Sequence, residues 1–118
     1  MKFSSELAKL DCEVALERLG GDEELLREVA GLFLDEYPML LRDIQSAAMS
    51  RDAEALQRAA HSMKGSVSNF GADVVYQAAF ILEKKGRAGE LDSLGPCIER
   101  LACALEDIHP ALVMLARV

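Results

Sequence analysis

The sequence contains no tryptophan, few aromatic residues and only three cysteines in 118 residues. The cysteines, Cys12, Cys97 and Cys103, form no CxxC pair and are odd in number, which argues against a disulfide scaffold and favours a reducing compartment. We expect all three to be small buried hydrophobic residues, and we expect the five methionines, which are scattered among apolar positions, to fill the core.

Long apolar runs and excess positive charge are also missing. No run approaches the roughly 18 residues that a membrane span needs, and residues 1–6 lack the apolar core of a signal peptide. The 13 Lys and Arg stand against 20 Asp and Glu, which gives a net charge of −7. This balance argues against a general nucleic-acid binder, because phosphate backbones favour basic surfaces. We therefore expect a cytoplasmic protein that binds neither membranes nor nucleic acid.

The apolar content, 51% of the residues, is enough for one core, and the chain is too short for two ordinary domains. We therefore expect a single domain over residues 1–118. Glycine and proline separate long periodic stretches, and the alternation typical of strands is nearly absent. The sequence predicts an all-α fold.

Two helices are predicted in the first half of the chain. A short helix over residues 12–19 has Asp11 as its expected N-cap and glycines 20–21 at its end. A long second helix begins after Asp22, has acidic residues in its first turn, and runs to about residue 49. We expect Pro38 to kink it near Tyr37.

Three further helices follow. One begins after the turn at residues 50–52 and ends at Gly71, the next covers residues 72 to about 85, and residues 86–89 are predicted to form a loop. The last has Asp92 as its expected N-cap and Pro96 near its first turn, where proline is tolerated. His109 is expected to be a polar residue near the end of this helix.

Each long helix carries an apolar stripe at spacings of three and four. The stripes consist of Leu26, Val29, Phe33, Leu40, Ile44 and Ala47; of Leu56, Ala60, Met63, Val67 and Phe70; of Val75, Ala78 and Leu82; and of Leu91, Leu94, Ile98, Leu101, Leu105, Ile108, Leu112 and Leu115. They predict an antiparallel up-down-up-down four-helix bundle with a short extra N-terminal helix. The alternative is a helical hairpin that is completed by dimerisation.

The third helix carries a histidine on its polar side. At about 100° per residue, its apolar residues lie about 180° to 260° around the helix from His61. His61 is therefore predicted to point to solvent, with Glu54, Arg58 and Gly65 on the same face.

Two neighbours distinguish His61 from an ordinary solvated histidine. A mid-helix glycine costs about 1 kcal/mol relative to alanine, and Gly65 lies about one turn after His61, where no core packing requires a glycine. We expect it to clear space for a large group. Lys64 is a mobile ammonium placed to neutralise charge on the imidazole's substituent, as a phosphoryl group would require. The plain alternatives are a solvated histidine and a surface lysine.

The charge distribution favours the same place. Residues 51–87 carry six basic and four acidic residues, a charge of +2, whereas residues 1–50 carry −6 and residues 88–118 carry −3. The histidine lies in the only positive stretch of the chain.

The motif His61-Ser62-Met63-Lys64-Gly65-Ser66, followed by Gly71-Ala72, resembles the signature of histidine-containing phosphotransfer (HPt) domains. The segments at residues 52–56 and 19–23 are also similar to that family, and the resemblance covers roughly residues 10–115. It implies that His61 accepts a phosphoryl group from an aspartyl phosphate on one receiver domain and passes it to an Asp on another. This is a reversible nucleophilic transfer through phosphohistidine.

The resemblance also implies partners and supporting residues. The partners are receiver domains of a hybrid sensor kinase or of response regulators, and the receiver brings Mg²⁺, so this chain needs no metal or cofactor of its own. A helix-four side chain is implied to accept the Nδ1 hydrogen of His61. By position this is Glu83, with a plain surface carboxylate as the alternative and Gln77 as a weaker candidate.

Other polar residues share the face of His61. Ser68, two turns further on, is a candidate donor to a phosphoryl oxygen or a solvated serine, and Ser62, Ser66 and Asn69 lie nearer the edge. The receiver is expected to dock on apolar or small residues near His61 on the second and third helices.

No nucleotide loop of the G-x-x-x-x-G-K-[ST] type is present, so we expect a phosphoryl carrier and not a kinase. Histidine-kinase dimerisation domains usually follow their histidine with an acidic residue and a nearby proline, whereas Ser62 and Gly65 stand here. A non-catalytic adaptor that docks on a receiver or kinase without being phosphorylated remains the alternative. The start at Met1 slightly favours a free-standing protein, and we expect a monomer.

Overall fold

The computed structural model describes residues 12–117. Within this range the chain forms five α-helices and one short 3-10 turn, and it contains no strand. The helices are α1 (Cys12–Arg18), α2 (Glu23–Met49), α3 (Ala53–Val67), α4 (Asp73–Ala88) and α5 (Leu94–Arg117), and the 3-10 turn (Ser68–Phe70) follows α3. The predicted all-α class is confirmed.

Side-chain caps begin two of the helices. The carboxylate of Asp22 accepts a hydrogen bond from the backbone N–H of Leu25 at 3.0 Å, and that of Asp52 accepts one from Ala55 at 3.0 Å. The expected cap of α1, Asp11, lies outside the described residues. α2 is one continuous helix that includes Pro38, and the kink near Tyr37 stays a prediction.

The four long helices of one chain close the bundle, so the dimerised hairpin is not the architecture. α2 packs on α3 and α5, and α4 packs on the same two helices, which is the ring expected of an up-down-up-down bundle. α1 lies against the 3-10 turn and α2. The apolar stripes form the core: those of α3 and α4 are fully buried, whereas Val29, Leu40, Leu91 and Ile98 are only partly buried.

The end of α4 differs from the prediction. Residues 86–88 belong to the helix, which ends at Gly89 in the left-handed region with φ 70°. Gly86 does not break the helix, because it is where α4 crosses the backbone of α3. A Cβ at this position would lie 2.8 Å from the backbone nitrogen of Gln57 and 3.0 Å from the carbonyl oxygen of Ala53.

The start of α5 also differs from the prediction. The helix begins at Leu94 and not after Asp92. Asp92 lies in the preceding turn, where its carboxylate pairs with Arg51 at 3.3 Å, and Ser93 has φ 61°. Pro96 still falls in the first turn, where the backbone N–H groups have no partner within the helix.

Residue type misled the prediction at several surface positions. Cys103 is an exposed free thiol because it lies outside the α5 stripe, and Cys97 is partly exposed. The side chain of Cys12 is outside the described residues. Met39 and Met49 are exposed, the latter by 87%, while Met63 is in the core as expected. His109 is not at a helix end, since α5 continues to Arg117. Its Nδ1 lies 2.7 Å from the hydroxyl of Tyr37 on α2.

Candidate functional site

His61 projects from the middle of α3 into solvent. Its side chain is 67% exposed, whereas Ala60, Met63 and Val67 on the opposite side of the helix are fully buried. The helical period therefore predicted correctly that the imidazole lies outside the core.

Glu83 of α4 reaches this imidazole, with Oε2 2.9 Å from His61 Nδ1. The close crossing at Gly86 explains the contact. α3 and α4 run antiparallel, Gln57 lies one turn before His61, and Glu83 lies about one turn before Gly86. The contact between Gly86 and Gln57 thus fixes the register that brings Glu83 opposite His61.

Glu83 is the only buried charged residue among those whose burial the structure describes, with 3% of its side chain exposed. Three cationic or hydrogen-bonding groups surround the carboxylate. Its Oε1 lies 2.7 Å from Lys64 Nζ, and its Oε2 is shared by His61 and by Arg87, whose Nη2 lies at 3.2 Å. Burial alone would raise the pKa of Glu83, but the hydrogen bonds and charges of Lys64 and His61 outweigh it and hold the pKa below its usual value.

The charge state of Glu83 determines the proton position on a neutral His61. An ionised carboxylate only accepts hydrogen bonds, so the hydrogen of the imidazole must lie on Nδ1. Nε2 is then the unprotonated nitrogen, and it faces away from Glu83. The site therefore presents one imidazole nitrogen as an oriented nucleophile.

Lys64 differs from the expected mobile ammonium. Only 18% of its side chain is exposed, because the ammonium is paired with Glu83. It also lies 4.8 Å from the ring centroid of Phe80 and 5.9 Å from that of Tyr76. The aliphatic stem and the charge are thus held against α4.

Gly65 borders open space. An added Cβ would meet no atom within 4 Å, apart from its own helix and chain neighbours, and the residue is exposed. The hydroxyl of Ser68 donates a hydrogen bond to the carbonyl oxygen of Gly65 at 2.7 Å. Ser66 donates to Glu36 of α2 at 2.7 Å. Gln77, the weaker candidate for the His61 contact, lines a neighbouring depression, and it is Glu83 that occupies the contact position.

Arg87 and the aromatic residues beside Lys64, Tyr76 and Phe80, were not among the predicted site residues. The signal for Arg87 was its position four residues after Glu83, the spacing at which oppositely charged side chains meet on a helix. It went unnoticed because residues 86–89 were assigned to a loop. The contact of Phe80 with the ammonium of Lys64 depends on the register of α3 against α4, which the sequence alone does not give.

Residues 12–117 contain no group of three or more His, Cys, Asp or Glu side chains placed to hold a metal ion. Over the same described range, no helix is long and apolar enough to cross a membrane.

One family model and two solved structures are similar to this chain. The family model described as Hpt domain matches residues 28–111. Histidine-containing phosphotransfer protein B (HptB) from Pseudomonas aeruginosa PAO1 has a similar structure, with a TM-score of 0.83 and 27% identity over 92% of this chain and 94% of that chain. The HPT domain from the Hpt sensor hybrid histidine kinase from Shewanella shares the fold, with a TM-score of 0.80 and 20% identity over 95% and 97% of the two chains. A search of curated proteins found no match.

Proposed function

The chain belongs to the Hpt domain family of phosphorelay phosphotransfer proteins, and we propose that His61 is the residue that carries the phosphoryl group between receiver domains. The observation that supports this assignment most strongly is the exposed imidazole held at Nδ1 by the buried carboxylate of Glu83. A histidine with only a structural role would need neither a solvent-exposed ring nor a carboxylate that orients its unprotonated nitrogen.

In the proposed transfer, Nε2 of His61 attacks the phosphorus of an aspartyl phosphate on the receiver. The N–P bond forms, the P–O bond to the aspartyl carboxylate breaks, and the carboxylate leaves as an anion. Nδ1 keeps its hydrogen, so the phosphorylated ring is positively charged, and the carboxylate of Glu83 stabilises that charge. The reverse reaction returns the phosphoryl group to a receiver Asp, with no net proton transfer.

The neighbours of His61 have distinct proposed roles. Gly65 leaves room for the phosphoryl group and the partner. A Cβ added at this position would have no atom within 4 Å outside its own helix and chain neighbours. Glu83 orients the imidazole. Lys64 compensates the negative charge that Glu83 and the phosphoryl group bring together. Ser68 is the candidate for a hydrogen bond to a phosphoryl oxygen, although its hydroxyl already donates to Gly65.

We propose that the receiver docks on the face formed by α2 and α3 beside His61. Leu32 and Met39 of α2 are 67% and 59% exposed, about one turn on either side of Glu36, which contacts α3 through Ser66. A groove between the two helices is lined largely by small residues, among them Ala55, Ala59 and Ser62 of α3. Exposed apolar side chains beside small ones suit a protein partner.

The proposal also covers the metal ion, the oligomeric state, the compartment and the partners. Mg²⁺ belongs to the receiver, whose acidic pocket complements the net positive charge of residues 51–87. The chain itself acts as a monomeric cytoplasmic carrier without ATP-dependent kinase activity. The donor and acceptor receivers are to be identified by screening the receiver domains of the source organism.

The test is incubation with phosphorylated receiver domains. The chain has two histidines, and both are exposed, so His109→Gln is a matched control for His61→Gln. Wild type and His109→Gln should gain an acid-labile, alkali-stable label that His61→Gln lacks. Absence of label on all three proteins with every receiver, combined with measurable binding, would favour the non-catalytic adaptor.

A further inference from the structure

Two aromatic rings of α4 lie beside the ammonium group of Lys64. Its Nζ is 4.8 Å from the ring centroid of Phe80 and 5.9 Å from that of Tyr76. Tyr76 and Phe80 are four residues apart on one face of α4, and their ring centroids are 6.3 Å from each other. The lysine of α3 therefore rests on an aromatic surface of the neighbouring helix, with Phe80 as the nearer ring.

The same ammonium group is confined on its other side by a carboxylate. Nζ of Lys64 lies 2.7 Å from Oε1 of Glu83, and only 18% of the lysine side chain is exposed. A long lysine side chain loses conformational entropy when it is held in one position, and its charged end ordinarily stays in water. The ion pair and the aromatic contact together have to offset both effects.

A phenyl ring suits this position for a chemical reason. The negative face of the ring attracts a cation, but a phenylalanine side chain has no hydrogen-bond acceptor, so Phe80 does not compete with Glu83 for the ammonium hydrogens. The ring also displaces water from one side of the ion pair, which strengthens the attraction between the two charges. A polar side chain at this position would offer the ammonium a second partner.

We propose that Phe80 is a positioning residue of the phosphoryl-transfer site, which acts by holding the ammonium of Lys64 on Glu83. This inference rests on the proposed function, in which Lys64 compensates the negative charges of Glu83 and of the phosphoryl group. Without the ring, the ammonium is expected to spend part of its time in solvent. Glu83 then keeps only the contacts with His61 and Arg87, both of them through Oε2.

A second lysine on the same ring provides a matched control. Nζ of Lys84 lies 4.6 Å from the ring centroid of Phe80, and this side chain is exposed. Lys84 is not among the groups that pair with Glu83 in the described part of the chain. Lys84→Gln therefore removes one positive charge from the ring and leaves the ion pair of Lys64 in place.

The experiment compares wild type with four single variants and one double variant. The single variants are Phe80→Leu, which keeps an apolar side chain of similar volume without a π face, Phe80→Tyr, Lys84→Gln and Lys64→Gln; the double variant combines Phe80→Leu with Lys64→Gln. Two quantities are measured, namely the midpoint pH of the Glu83 carboxyl titration by 13C NMR, which needs no partner, and the rate of phosphoryl transfer from a receiver. Circular dichroism verifies that each variant is folded.

Phe80→Leu should raise the Glu83 midpoint by roughly half a unit and slow transfer roughly threefold, because a loosened Lys64 offsets the burial of the carboxylate less. Phe80→Tyr should stay near wild type in both measurements, since it keeps the ring face. Lys84→Gln should shift the midpoint much less than Phe80→Leu does. In the Lys64→Gln background, Phe80→Leu should not slow transfer further, because Phe80 acts through Lys64.

An unchanged Glu83 midpoint in Phe80→Leu would overturn the proposal. Equal slowing by Phe80→Leu with and without Lys64 would do the same, because it would show that the ring only packs. If Lys64→Gln does not fold, the midpoints of Phe80→Leu, Phe80→Tyr and Lys84→Gln still decide. Failure of the proposed function has a different signature, since wild type would then gain no label from any receiver while the midpoint would still shift in Phe80→Leu.

Discussion

Replacement by alanine is expected to have opposite effects on stability at two helical glycines, Gly86 and Gly65. Gly86 lies where α3 and α4 cross, whereas Gly65 borders open space. At Gly86 an added Cβ would lie 2.8 Å from the nitrogen and 3.0 Å from the Cα of Gln57, and these are backbone atoms that cannot rotate away. At Gly65 an added Cβ would meet nothing within 4 Å outside its own helix and chain neighbours. The change to alanine therefore measures the steric conflict between helices at position 86, and it measures helix propensity alone at position 65.

The magnitudes follow from these two effects. Alanine favours a helix over glycine by about 1 kcal/mol, so Gly65→Ala should raise the free energy of unfolding by about that amount. Forcing α3 and α4 apart costs about 3 kcal/mol, at the upper end for overpacking, because the conflict involves backbone. Gly86→Ala should thus be destabilised by a net of about 2 kcal/mol.

Urea and thermal unfolding followed by circular dichroism at 222 nm measure both changes. At about 4 °C per kcal/mol for a domain of this size, Gly86→Ala should melt about 8 °C below the wild type and Gly65→Ala about 4 °C above it. A Gly86→Ala variant as stable as the wild type would refute the close crossing. It would also remove the explanation of how Glu83 is brought opposite His61.

Three further predictions concern the site and the bundle. Gly65→Gln should reduce phosphoryl transfer with little loss of helix content, because it fills the space beside His61; unchanged transfer rates in a receiver assay would contradict the clearance role. Tyr37→Phe should lower the urea-derived stability by about 0.5 kcal/mol through loss of the hydrogen bond to His109, and no change would show that water replaces it fully. Because the pKa of Glu83 is held below its ordinary 4.5, its contribution to stability is fully present above that pH and is lost as the pH falls through the lowered value. Glu83→Gln should lack this part of the acid dependence of unfolding, and an identical slope in both proteins would contradict it.

Local signals in the sequence were sufficient for most of the helices. Asp22 and Asp52 act as N-caps through bonds within one turn. The three-four spacing also selected the buried side of each helix. Both effects depend on residues close together in the chain, so a single sequence reveals them.

The failures have a tertiary origin. Gly86 was placed in a loop with residues 87–89, since glycine is a poor helix former, whereas its lack of a side chain allows the contact with Gln57. Cys103 and Met49 were assigned to the core by residue type, but their positions on the helices leave them exposed. Only the packing of one helix on another distinguishes these cases.

The same limit applies to the site. The helical period was enough to place His61 in solvent, because it concerns one helix. Its contact with Glu83 depends on the register of α3 against α4, and only the family resemblance, by position, pointed to Glu83. Arg87 was missed for the same reason, since its partner is defined by the register and not by the H-x-x-K-G motif.

The buried carboxylate explains why the site has to be treated as one electrostatic unit. An amide at position 83 could accept the Nδ1 hydrogen of His61, but it could also rotate and offer a donor, and it would bring no charge to stabilise a phosphorylated ring. A carboxylate avoids both problems, at the cost of burying a charge that must be paired. Lys64 and Arg87 supply that pairing from opposite sides of Glu83. Removal of either cation therefore changes how strongly the carboxylate holds the imidazole, and the effects of double variants at these positions should be non-additive.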